Sequence, residues 1–377
     1  MRTLLVTLEF PPFHGGIANY YGNLAKNWPA GGELAVLDNN QGELMSAGGR
    51  FPWFKAFGAL AKRLQADQGS GIDIDYVLVG QILPLGTVAW LLSYFRPFRY
   101  GVFLHGMDFN AAMKTRRKRF LAGLIMRRAD KILCANTYVA TLAGAFYPDG
   151  RAKTQVVHPG VAGSGESALA ESAAAPVVHS SGIPKQPAQY DLDGKEVLLS
   201  VGRLVKRKGV DMTITAIAQM TEAERQNLLY FIAGKGPDEE YLKALVPESL
   251  QDKIIFLGGV SEADKWSWLE RADIFVMPAR DMDGDIEGFG IAYLEANLVG
   301  KPVIAGASGG VRDAVVDGEN GLLVDPENVD SIKTAILRLA SDAALRDKLG
   351  RQGRERAKKK FNWPSQARKI SELINTL

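Results

Sequence analysis

Two short stretches of the chain carry residue types that could bind a phosphate and a sugar together. The first, residues 281–300, reads Asp-Met-Asp-Gly-Asp-Ile-Glu-Gly-Phe-Gly-Ile-Ala-Tyr-Leu-Glu-Ala-Asn-Leu-Val-Gly. It follows an apolar run (273–277) and puts Glu287 in a loop before a helix, with Glu295 about two turns inside that helix. One carboxylate can then face whatever lies above the strand ends while the other faces the helix flank. The N–H groups of Phe289, Gly290 and Ile291 are expected to be the unpaired donors of a glycine-rich helix start, a seat for a phosphate. Gly288 belongs to the same loop. The second stretch, Gly-Arg-Leu-Val-Lys-Arg-Lys-Gly at 202–209, spaces Arg203 and Lys208 five apart in a loop after another apolar run. Such a pair can clamp a diphosphate, the guanidinium as a fork and the ammonium as a point charge. Lys206 and Arg207 fit a solvated basic turn better. Acids for sugar hydroxyls beside donors for a phosphate suggest a nucleotide-sugar pocket.

Other residues carry weaker signals. Pro-Pro-Phe-His-Gly-Gly-Ile at 11–17 places Gly15 and Gly16 at a strand-to-helix turn, where the backbone can approach an anion; a plain turn would use glycine too. His105 leaves a continuous apolar run just before Gly106 and Asp108, so it is expected at a ligand cleft. The acids at 281–285 resemble a calcium loop only superficially. Ile286 stands where such a loop needs glycine and Ala292 where it needs glutamate, so no metal is expected. The single cysteine, Cys134, lies in an apolar run, which fits a reducing compartment and argues against a catalytic thiol.

The positioning elements follow from the pattern of apolar runs. At 377 residues, two domains are the expectation. Short apolar runs at 4–7, 34–37, 76–79, 101–104, 131–134 and 155–157 alternate with helical segments, the sign of a parallel sheet covered on both faces. The alternation restarts at 196–201 and continues through 228–233, 253–257, 273–277, 302–305 and 321–324. The fold class is therefore α/β, two doubly wound Rossmann-like domains facing across a cleft, with ligands outside the carboxyl ends of the strands. The expected division is 1–162 plus a C-terminal tail 362–377, a linker or mobile loop at 163–192 rich in Ala, Ser, Gly and Pro, and a second domain at 193–361. The interruption Phe-Asn-Trp-Pro at 361–364 would let the tail cross back to the first domain. The uncharged stretch 76–95 is long enough to span a bilayer, but its glycines and Pro84 split it into a strand and a helix.

Net charge is only +3, so the placement of cations matters more than their number. Two stretches, 51–63 and 114–128, interleave Lys and Arg with Trp, Phe and Leu. They suit a helix lying on an anionic bilayer and equally a surface helix with its apolar face in the core. No nucleic-acid motif accompanies them.

Taken together, the Gly15-Gly16 loop, Gly-Arg-x-x-x-x-Lys-Gly at 202–209, Glu287 and Glu295, the glycines of Ser-Gly-Gly at 308–310 and Asn-Gly-Leu-Leu-Val-Asp-Pro at 320–326 resemble glycosyltransferase family 4. Met-Pro-Ala-Arg at 277–280, continuing into Glu-Gly-Phe-Gly-Ile at 287–291, is similar to bacterial phosphatidylinositol mannosyltransferases. The resemblance implies the GT-B fold and a retaining transfer of a hexose from a nucleotide-diphosphate sugar, without a metal or other cofactor. It implies that Arg203 and Lys208 bind the donor diphosphate, Glu295 the ribose, Glu287 the sugar, and the amides of 289–291 the sugar and phosphate. Val260 would meet the base, His105 the transferred sugar, and Gly15 and Gly16 the phosphates and acceptor. GDP-mannose is favoured over a UDP-hexose, with a glycan or lipid-linked acceptor at the cytoplasmic face of the membrane. The chain departs from relatives in its long Ala/Ser-rich linker and in Asp313, where glutamate is usual. The rival readings are a nucleotide-sugar epimerase or hydrolase on the same frame and a non-catalytic binding protein. The sequence leaves oligomeric state open.

Overall fold

A computed structural model describes residues 1–13, 15–45, 53–66, 74–163 and 186–376. The chain divides into two compact units, Met1–Gly160 with Asn362–Leu377, and Val161–Phe361.

The first unit is a parallel sheet of β1 (Arg2–Val6), β2 (Glu33–Leu37), β3 (Tyr76–Val79), β4 (Arg99–Leu104), β5 (Lys131–Cys134) and β6 (Thr154–Val156) in the order β2-β1-β3-β4-β5-β6. Every side chain of β3 is buried, as are all but the first of β4 and β5, so these strands are covered on both faces and read as unbroken apolar runs. The stretch 76–95 is β3 followed by the short helix Leu85–Leu92, and no helix among the described residues is long and apolar enough to cross a membrane. Burial pushes the Cys134 thiol up to about 12, which leaves it inert at neutral pH.

The helix Trp363–Asn375 belongs to this unit. Asn362 caps it by accepting from the Ser365 N–H, and Pro364 falls in its first turn, where a missing N–H costs nothing. Trp363 packs edge-on to Tyr20 with ring centroids 5.2 Å apart, and a Cβ on Gly160 would strike the same indole.

The second unit repeats the plan with β7 (Glu196–Val201), β8 (Leu228–Ala233), β9 (Ile254–Gly258), β10 (Ile274–Met277), β11 (Val303–Gly306) and β12 (Gly321–Val324), ordered β12-β11-β10-β7-β8-β9. All neighbours are parallel. Strand order reverses between β7 and β10 here and between β1 and β3 in the first unit. These switch points are where open α/β sheets leave room for a ligand.

Most of the expected linker lies outside the described residues, but its end does not behave as one. Tyr190 packs against Phe231 and Trp268 with centroids 5.0 and 5.7 Å away, and Leu192 is buried in the same core. Composition hides this because two apolar anchors in a polar run are enough to dock a segment.

Candidate functional site

In the second unit, bare backbones draw the strand-end loops together at the β7/β10 switch point. Gly209 adopts a left-handed conformation (φ 72°), and a Cβ there would come within 2.1 Å of the Pro278 carbonyl oxygen. Gly306 likewise abuts the Ala279 carbonyl, where a Cβ would lie at 2.0 Å. The loop after β7 is further held by Leu204 N–H donating to Lys235 O at 3.0 Å and by Arg280 N–H donating to Arg207 O at 2.8 Å. Beneath it, Arg280 forms a fork with Asp211 (3.1 and 2.6 Å), both residues buried, which ties the helix Val210–Ala218 to the segment after β10.

This frame sets the cations. Residues Lys206–Lys208 make one 3₁₀ turn that ends at Gly209. Lys208 Nζ reaches Glu287 Oε2 at 2.5 Å, and Arg207 Nη1 meets the same oxygen at 2.6 Å. Arg207 Nε also contacts Asp285 Oδ1 at 3.2 Å. Arg207 is therefore an inward-facing member of the cluster and not part of a solvated turn. Lys206 does face outward, its ammonium 5.0 Å from the Tyr241 ring. Arg203 is exposed and lines one recess with Gly202, Lys208 and Met277. Burial alone would raise the Glu287 carboxyl, but the charges of Lys208 and Arg207 outweigh it and hold it below its usual range. Its backbone is fixed as well, since Gly310 N–H donates to Glu287 O at 3.1 Å.

Asp285 closes a tight turn with Met282, each N–H donating to the other's carbonyl, through left-handed Asp283 and Gly284. The helix after this loop starts at Ile291, with left-handed Gly290 as its N-cap (φ 79°). The unpaired donors of the helix start therefore include the N–H groups of Gly290 and Ile291, as expected, whereas Phe289 precedes the N-cap and is not one of them. Gly290 puts the boundary there, because a residue with positive φ cannot belong to the helix. Phe289 is buried 5.5 Å from the Phe361 ring.

Glu295 lies on a different flank. Lys265, from the helix Glu262–Arg271, bridges Glu295 at 2.8 Å and Glu262 at 2.5 Å. Val260 sits two residues before that helix, whose N-cap Ser261 accepts from Asp264 N–H. The two acids thus belong to two cation clusters, Glu287 to Lys208 and Arg207, and Glu295 to Lys265.

In the first unit, Gly15 is the N-cap and Gly16 the first residue of the helix Gly16–Lys26. A Cβ on Gly16 would meet nothing within 4 Å, whereas one on Gly15 would lie 3.3 Å from Glu9 Oε2. Glu9 carried no signal in the sequence. Its carboxyl is raised by burial and by the charge of Asp108. Asp108 Oδ1 accepts from the N–H groups of His105 (2.9 Å) and Gly106 (3.1 Å), which fixes the turn after β4, and burial raises this carboxyl to about 6. His105 stacks on Phe103 and meets Tyr20 and Tyr21 edge-on. Its pKa is lowered by burial to about 4, so the ring is neutral at physiological pH.

The helices of the two basic stretches turn apolar residues into the core. Ala56 and Leu60 of Phe54–Ala66 are buried, as are Ala122, Ile125 and Met126 of Arg116–Arg128. Residues 114–120 are nonetheless all exposed, Phe120 among them, and Phe54 is exposed too.

Residues 183–356 match the family model described as glycosyl transferases group 1. A GDP-mannose-dependent alpha-(1-6)-phosphatidylinositol monomannoside mannosyltransferase of Mycolicibacterium smegmatis is 28% identical over 395 residues, covering 99% of this chain and 98% of the relative. The protein is a glycosyltransferase. A GDP-mannose-dependent monoacylated alpha-(1-6)-phosphatidylinositol monomannoside mannosyltransferase from Corynebacterium glutamicum is 36% identical over 186 residues, 49% of this chain and 48% of the relative. Among solved structures, sucrose-phosphate synthase from Thermosynechococcus elongatus superposes with a TM-score of 0.72 at 21% identity, covering 100% of this chain and 98% of that one. HepE of Anabaena in complex with UDP gives 0.72 at 18% identity with both chains fully covered. The glycosyltransferase thus has the GT-B fold and is similar to the phosphatidylinositol mannosyltransferases.

Proposed function

We propose that the protein transfers a hexose, mannose foremost, from a nucleoside-diphosphate sugar to a hydroxyl of a glycan or lipid-linked acceptor, with retention of anomeric configuration. The reading rests above all on the Glu287 carboxylate held by Lys208 and Arg207 at the β7/β10 switch point. The two cations there already hold a carboxylate of the chain itself, and the place is built from the loops where an open α/β sheet receives a ligand. Arg203 and Lys208 take the donor diphosphate and stabilise the charge that collects on it as the glycosidic bond breaks. Glu287 accepts hydroxyl hydrogens of the sugar, and Arg207, which grips Glu287 and Asp285, keeps that carboxylate aimed. Glu295 takes the ribose, with Lys265 beside it and Val260 near the base. The helix start at Gly290 and Ile291 offers N–H donors to phosphate or sugar. In the first unit, His105 reads a sugar hydroxyl, and Gly15 and Gly16 leave space for a phosphate or the acceptor. No metal or other cofactor takes part in this scheme.

GDP-mannose is the favoured donor, ahead of a UDP-hexose, because the full-length relatives are GDP-mannose-dependent enzymes. A lipid-linked acceptor fits the exposed cations of 114–119 around Phe120, which suit peripheral contact with an anionic bilayer at the cytoplasmic face. Flotation with liposomes tests that contact, and equal binding to neutral and anionic vesicles would remove it.

Incubation with GDP-mannose, GDP-glucose and UDP-glucose, each with and without a polyprenol-linked or phosphatidylinositol acceptor, tests the activity. Sugar transfer that requires acceptor is expected, with the α-linkage kept. Nucleotide release at the same rate without acceptor would instead make the protein a hydrolase.

A further inference from the structure

Tyr21 is the second tyrosine of Ile-Ala-Asn-Tyr-Tyr in the helix Gly16–Lys26 and is fully buried. Its hydroxyl oxygen lies 2.6 Å from the carbonyl oxygen of Gly80, just after β3, and 2.7 Å from Nε2 of His105, just after β4. One side chain on the first helix thus ties together the ends of two neighbouring strands. The hydroxyl has one hydrogen and two neighbours. A carbonyl oxygen can only accept, and two oxygens 2.6 Å apart need a hydrogen between them, so the hydrogen goes to Gly80. The hydroxyl then offers His105 only a lone pair, and the contact at 2.7 Å requires the hydrogen to be on Nε2.

We infer that Tyr21 is a positioning residue for the transfer reaction: it fixes His105 as the Nε2–H tautomer and so presents Nδ1 as a hydrogen-bond acceptor for a substrate hydroxyl. The enclosure of the ring acts the same way. Stacking on Phe103 and edge contacts with Tyr20 and Tyr21 hold its plane, and burial keeps it neutral, so one nitrogen must lack a hydrogen. The His105 backbone is pinned separately through its N–H to Asp108. A side chain with its plane, backbone and tautomer all set is prepared to recognise an O–H pointing at it. A cationic imidazolium, or the opposite tautomer, would instead recognise an oxygen lone pair. The role of the hydroxyl rests on the proposed function, whereas the tautomer does not.

Two experiments separate these. Nitrogen-15 NMR of the histidine-labelled, ligand-free protein near neutral pH reads the ring directly. A pyrrole-type Nε2 and a pyridine-type Nδ1 are expected; hydrogen on Nδ1 would overturn the inference whatever the enzyme transfers. The second uses Tyr21→Phe, which keeps the ring packing and removes the oxygen. A fall of about tenfold or more in kcat/KM is expected, as for a lost buried hydrogen bond that aims a binding group. In a His105→Ala background the same change is expected to have almost no further effect, which a purely structural tyrosine would not show. A rise in KM confined to the donor places the hydroxyl on the donor sugar, and a rise confined to the acceptor places it there. Equal losses in both backgrounds, or wild-type kinetics in Tyr21→Phe, would overturn the inference, and transfer by the wild type would still stand.

Discussion

Lys208→Ala separates the leaving-group role from the structural role of the same side chain. In the free protein, Lys208 Nζ lies 2.5 Å from Glu287 Oε2, and both side chains are close to nine-tenths covered. Removing Lys208 does not strand the carboxylate, because Arg207 stays at 2.6 Å from the same oxygen. The stability cost is therefore that of one charge-assisted bond, about 1.5–3 kcal/mol. That is below the ~3–5 kcal/mol of a buried charge left alone, and it leaves the chain folded at room temperature. The effect on turnover is larger and of different origin. Loss of one preorganised group facing developing negative charge costs about 3–4 kcal/mol, a hundredfold to a thousandfold in rate. The assay is acceptor-dependent transfer of labelled sugar at saturating donor, beside urea unfolding of the same preparation. A folded variant whose kcat stays within about threefold of wild type would refute the argument, since under 1 kcal/mol is then at stake.

Two further outcomes follow from the buried charges. Asp211→Ala leaves Arg280 buried without its fork partner and is expected to lower the unfolding free energy by about 3–5 kcal/mol, read from urea midpoints; a change under about 1 kcal/mol would show the pair to be dispensable. His105 and Asp108 should pull stability in opposite directions with pH. His105, lowered to about 4, leaves the unfolded chain binding the extra proton, so its contribution is lost as pH falls from 6.5 towards 4. Asp108, raised to about 6, keeps its proton when folded, so its contribution is lost as pH rises from 3.8 through 6. Asp108→Asn is therefore expected to steepen the loss of stability on acidification from pH 6.5 to 4 relative to wild type, and His105→Gln to flatten it. Parallel profiles for all three proteins would contradict both shifts.

The sheets were legible because parallel strands buried on both faces leave unbroken apolar runs, and all twelve strands begin and end within two residues of such a run. Glu287 and Lys208 could be picked out because each sits in a glycine-flanked loop at a strand end. Arg207 could not, since it and Lys206 are adjacent cations on one turn. Which of them points inward is set by the 3₁₀ turn and by Gly209 packing under Pro278, neither of which is written locally. The Asp211–Arg280 fork joins residues 69 apart in the chain, and the Tyr21–His105 contact joins residues 84 apart. Neither had a spacing to betray it. Glu9 carried no signal because only the folded loop brings its carboxylate beside Gly15.

Calorimetric titration of GDP against GMP probes the role of the second unit most directly. The two ligands differ by the phosphate assigned to Arg203 and Lys208. The wild-type protein is expected to bind GDP about tenfold or more tightly than GMP, and Arg203→Ala and Lys208→Ala should each erase most of that preference. Equal affinity of the wild type for the two nucleotides, or a preference that survives both substitutions, would contradict the assignment.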